Sequence, residues 1–153
     1  MNSQTVKKIR HTYLLEEGKW NVSGTYYDSC NNEMELKGEQ RISHHEDQWL
    51  LDSRMELQDM SKTIIQSTYK IEPATGEGEF TFWESDDPDL GQLLGRFMIV
   101  GNTIMSMYQS ESRLYAGTET LEKVDENKYQ VKGFSFNGDE KLASWKLTLE
   151  RSR

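Results

Sequence analysis

The run Met34-Glu35-Leu36-Lys37-Gly38-Glu39-Gln40-Arg41-Ile42-Ser43 decides the fold. Met34, Leu36, Gly38, Gln40 and Ile42 fall on one parity, and Glu35, Lys37, Glu39, Arg41 and Ser43 on the other. That two-residue rhythm belongs to a strand with one buried and one wet face, because successive side chains leave a pleated backbone on opposite sides. The rhythm extends both ways. Upstream, Trp20, Val22, Gly24 and Tyr26 alternate with Lys19, Asn21, Ser23 and Thr25. Downstream, Trp49, Leu51, Ser53, Met55 and Leu57 share a face, and Thr63, Ile65, Ser67, Tyr69 and Ile71 share the next.

Polar clusters punctuate these runs: Asp28 to Asn32, His44 to Asp47, and Pro73 to Gly78. Residues 79–84 carry Phe80, Phe82 and Trp83. Residues 86–95 form the longest interruption, read as an N-cap at Asp87, Pro88 in the first helical position, and a stop at Gly91 or Gly95. A short apolar strand then runs from Arg96 to Val100. Gly101-Asn102 and Asn137-Gly138 are hairpin turn signals, and further strands cover 103–109, 114–121, 128–136 and 142–150. Ahead of all this, Val6, Ile9, Tyr13 and Leu14 make one apolar helical stripe over residues 1–17.

The expectation is an all-β protein: an antiparallel up-and-down β-barrel of about ten strands with a short N-terminal helix. Short turns force neighbouring strands to be antiparallel, and closure removes the two bare edges that so long a meander would expose. Residues 1–17 would pack on the barrel and residues 18–153 would form the single barrel domain.

The composition agrees. Of 153 residues, 35% are hydrophobic, which suits strands wet on one face and not a parallel sheet buried on both. A net charge of −8 argues against nucleic acid and anionic membranes as partners. The single cysteine, Cys30, allows no internal disulfide. No apolar leader and no apolar stretch of about 18 residues is visible, so a cytoplasmic location is expected.

Gly18-Lys19-Trp20, on the first strand, resembles the G-x-W motif of the calycins, the superfamily of lipocalins, fatty-acid-binding proteins and avidins. The resemblance implies a barrel with Trp20 at its closed end, under a basic residue from near the last strand, Arg151 or Arg153. The chain departs from the standard families. It has no T-D-Y motif and no C-terminal helix, and it lacks the helix pair and the R-x-Y of the fatty-acid-binding proteins. His11, His44 and His45 all come early, whereas haem-binding relatives place their ligand late, so no haem is expected.

A barrel of about ten strands leaves interior room. The expected liners are Trp20, Tyr26, Trp49, Tyr69, Phe82, Phe97, Tyr108 and Trp145, with Arg96 and Glu119 as polar members and the 86–91 loop as a portal. A carrier of a small hydrophobic molecule is the first reading. The alternatives are a cofactor-free isomerase or lyase using Glu119, Tyr108 and Arg96, and a ligand-free module pairing as a homodimer through Leu50, Ile64, Phe134 or Phe136. No cofactor is expected. His44-His45-Glu46-Asp47 lacks zinc spacing, and Asp86, Asp87 and Asp89 lack the calcium-loop pattern. Cys30 has no base nearby.

Overall fold

The computed structural model describes residues 10–74 and 80–152. Ten strands follow one another: β1 (Gly18–Tyr27), β2 (Glu33–His44), β3 (Trp49–Leu57), β4 (Ile64–Ile71), β5 (Phe80–Asp87), β6 (Gly91–Val100), β7 (Thr103–Ser110), β8 (Tyr115–Asp125), β9 (Lys128–Asn137) and β10 (Glu140–Arg151). Each pairs antiparallel with its sequence neighbours, and β1 pairs with β10, so the sheet closes into a barrel. The founding run of alternating residues is β2. It lies between β1 and β3, with Leu36 and Ile42 buried and its charged residues outside.

One ladder is short. β4 and β5 pair at Lys70↔Glu84 and Ile71↔Trp83, then part. Beyond that point, Ser85 Oγ donates to Thr68 O at 2.8 Å and bridges the seam.

One end of the barrel is plugged. Of the helix expected over 1–17, residues 1–9 lie outside the described residues, and residues 10–17 form a turn instead. Leu14 sits at φ 71°, a left-handed conformation that a right-handed helix cannot contain. The physical reason is that, beyond a single backbone bond from Glu16 N to Thr12 O, the segment's backbone and polar groups bond largely to the barrel. Thr12 Oγ1 donates to Glu126 O, His44 Nε2 donates to Leu14 O, and Lys123 Nζ donates to Arg10 O.

His11 completes the plug. Its Nε2 is 2.9 Å from Gly101 O, which can only accept, so Nε2 carries the proton. Its Nδ1, 2.7 Å from Tyr129 Oη, therefore accepts from that phenol, which in turn accepts from Thr12 N at 3.2 Å. Burial holds the imidazole below its ordinary pKa.

Under the plug lies Trp20, wholly buried, with Tyr13 and Tyr129 against it edge-on at 5.4 and 5.6 Å between ring centres. The Arg151 guanidinium stands 5.7 Å from the centre of the Trp20 ring and donates to Glu16 Oε1 and Glu17 O. Of the two arginines proposed for this place, Arg151 holds it; Arg153 lies outside the described residues.

Two turns differ from expectation. The interruption at 86–95 is a three-residue turn, Pro88 to Leu90, with no helix. Asp87 Oδ1 accepts from the backbone N–H groups of Asp89 and Leu90, which is a tight side-chain cap rather than a helix start. β6 accordingly begins at Gly91, five residues before the expected Arg96. The last hairpin turns at Gly138-Asp139, one residue later than read, with Gly138 at φ 58° and Asn137 paired to Glu140.

Candidate functional site

The space inside the barrel follows from where the small residues fall. Ser53, Ser85, Ser106, Ser110 and Ser135 all point inward and are buried. Three inward glycines each lie opposite an aromatic on the adjoining strand: Gly95 against Trp83, Gly117 against Tyr108, and Gly133 against Trp145. A Cβ at these glycines would fall 2.1, 2.4 and 2.6 Å from the facing ring. The rings therefore lie flat along the wall instead of filling the middle. A cavity of about 260 Å³ remains, floored by Tyr13 and reaching toward Asp87 and Leu90 at the unplugged end.

Six of the expected liners border this cavity: Tyr26, Tyr69, Phe97, Tyr108, Glu119 and Trp145. Four do not. Trp20 is packed into the plugged end. Trp49 lies at the same end, stacked on His44 at 3.9 Å. Phe82 and Arg96 are on the outer wall, with the guanidinium 6.0 Å from the Phe82 ring centre. The correction at β5 has a plain cause. Both parities carry an aromatic there, and the set that faces inward is Trp83, Ser85 and Asp87. Arg96 is displaced by the same logic, since Leu93, Gly95 and Phe97 take the inner parity of β6. Glu119, Tyr108 and Arg96 thus do not converge, and the acid–base arrangement built on all three has no basis in this barrel.

The polar groups of the lumen centre on Glu119. Ser106, Glu119, Gly133 and Trp145 form one row across β7, β8, β9 and β10. Because Gly133 has no side chain, the Trp145 indole crosses β9 and its Nε1 donates to Glu119 Oε2 at 2.7 Å. Among the described residues, Glu119 Oε1 has no hydrogen-bond partner. Burial pushes the carboxyl up to about 7, and the indole bond opposes that rise. Burial also raises the phenols of Tyr13, Tyr69 and Tyr108, with the Glu119 carboxylate as a further cause for all three. Tyr13 donates to Gln40 Oε1 at 2.5 Å, and Gln40 Nε2 donates to Ser53 at 3.4 Å. Among the described residues bordering the cavity, none is Lys, Arg or His.

This row gives a direct test. Gly133→Ala is expected to push the Trp145 ring aside and break its bond to Glu119. The Glu119 pKa, followed by side-chain carboxyl NMR, should then climb above its starting value near 7. An unchanged titration would mean that the indole does not hold this carboxyl.

Sequence reading missed Trp83, Tyr13, Gln40 and Asp87 as neighbours of the cavity. Trp83 was accessible to it, because Ser85 and Asp87 continue its parity. Tyr13 was not, because its place depends on a turn rather than on a period.

No family model matches the chain, and no curated protein matches it. Among solved structures, it is similar to the S-type phycobiliprotein lyase CPES from Guillardia theta. The TM-score is 0.69 at 9% identity, over 91% of this chain and 89% of that one. A protein described as an AttH from Nitrosomonas europaea aligns at a TM-score of 0.34 and 11% identity, over 87% of this chain and 50% of that one. The first likeness bears on the fold alone, which in this chain is a closed antiparallel barrel of ten strands.

Proposed function

We propose that the protein binds a small hydrophobic molecule inside the barrel. The observation that carries this reading is the cavity of about 260 Å³, walled by aromatic rings laid flat over inward glycines. An interior meant only for packing would fill such space, since an apolar void costs about 24 cal/mol per Å³. Here small inward residues keep it open. A few polar groups among apolar walls are also how small-ligand sites orient what they hold.

Native mass spectrometry of the protein purified from its own host is the test. A mass beyond the polypeptide is expected. Ser106→Phe places a ring in the lumen beside Glu119 and should lower retention of that mass at least tenfold, with the far-ultraviolet circular dichroism unchanged. A wild-type protein that emerges bare and also takes up no neutral aromatic probe sinks the reading.

A further inference from the structure

We infer that the lumen selects a hydrophobic organic base, and that Glu119 Oε1 receives its protonated nitrogen. The inference rests on the lumen being a binding site, and it adds the chemical class of the ligand.

The argument begins with the missing sign of charge. Two carboxyl side chains, Glu119 and Asp87, border the cavity, and among the described bordering residues there is no cation. A carboxylate or phosphate ligand would enter a space of low dielectric with nothing to neutralise it, and would face like charge. Burying an unpaired ion costs several kcal/mol, so anionic ligands are excluded by the walls themselves. A purely apolar ligand would leave a carboxyl oxygen facing it with no bond, which is also costly.

A cation resolves both. Glu119 is held from one side by Trp145, which fixes Oε2 and leaves Oε1 free for a second donor. An N–H from a charged nitrogen makes a charge-assisted bond there, and such bonds are roughly twice as strong as neutral ones. The surrounding walls favour the same sign. The faces of Tyr69, Trp83, Tyr108 and Trp145 border the cavity, and aromatic faces attract cations. At the mouth, Asp86, Asp87 and Asp89 flank the Pro88 turn, and the whole chain carries −8, so approach is steered in favour of positive ligands.

Three bicyclic probes of one shape test this: 1-naphthylmethylamine, 1-naphthylmethanol and 1-naphthoate. Binding is measured by isothermal titration calorimetry at pH 8, on wild type and on Glu119→Gln. The amine is expected to bind at least tenfold more tightly than the alcohol, and the acid not to bind measurably. Glu119→Gln should bring the amine to the level of the alcohol and leave the alcohol within about twofold. Circular dichroism of the variant is expected to match that of wild type, which would establish that the fold persists. If the alcohol binds but the amine binds no better, or if the preference survives Glu119→Gln, this inference falls while the lumen remains a binding site. If the acid binds as well as the amine, it falls likewise. If none of the three binds, both readings fall together.

Discussion

Glu119→Gln is expected to stabilise the unliganded protein by about 3 kcal/mol at pH 8 and by almost nothing at pH 4. The folded pKa is about 7 against an ordinary 4.5, because burial penalises the charged form. Below 4.5 the carboxyl is protonated in both folded and unfolded chains, and it costs nothing. Between 4.5 and about 7 the folded protein holds the proton that the unfolded chain has released. Stability therefore falls as pH rises through that window. Above 7 both states are ionised and the cost is complete: the gap from 4.5 to about 7, at 1.36 kcal/mol per pH unit, comes to about 3 kcal/mol. Glutamine has nearly the same shape, can still accept from Trp145, and carries no charge to desolvate. Urea midpoints of the two proteins, compared at each pH from 4 to 9, cancel the contribution of His11 and other groups. A difference that does not change with pH would refute the buried-carboxyl account.

Trp20→Ala is expected to cost about 3 to 5 kcal/mol, the range for emptying a large aromatic site in a packed interior. The loss exceeds the ring itself. Trp20 supports Tyr13 and Tyr129 by edge contacts and lies under Arg151, which also ties down Glu16 and Glu17. Removing it loosens the plug. Trp20→Phe separates packing from polarity. Among the described residues the indole Nε1 has no hydrogen-bond partner, so phenylalanine sacrifices volume and no bond, and it should cost less than half as much. Guanidinium unfolding measures both. An alanine variant within 1 kcal/mol of wild type would show that the plugged end is not a keystone of the barrel.

The strands were legible because their code is local. In β2 every outward position from Glu35 to Arg41 is charged, so parity alone identifies the inside. β3 and β4 follow, with Ser53 and Ser67 on the inner parity as read. The code fails where the outer wall is also apolar. Leu94, Met98, Met105, Met107 and Phe134 are all exposed, and Phe82 beside Trp83 gives β5 two candidate faces. Bulk was a poor guide to the lumen for a second reason. A cavity is made by what is small, so Ser106, Gly117, Gly133 and Ser135 define it as much as the aromatics do. The plug was illegible in kind. The stripe of Tyr13 and Leu14 fits a helix, but contacts with Gly101, Glu126 and Tyr129, about a hundred residues away, decide the backbone. The basic partner of Trp20 was legible only through the resemblance that named its place.

The pairing of β1 with β10 has a bearing on how the molecule is made. Nine of the ten ladders join neighbours in sequence and can zip hairpin by hairpin during synthesis, whereas the tenth joins residues such as Trp20 and Arg151 from opposite ends of the chain. Until the ribosome has released the final strand, the nascent sheet has two bare edges and an uncovered apolar face, the condition in which β-rich chains stick to one another. Sealing is thus a late event, and a chain truncated before Glu140 would keep the hairpins from β1 to β9 but leave β1 without the partner that shuts the barrel.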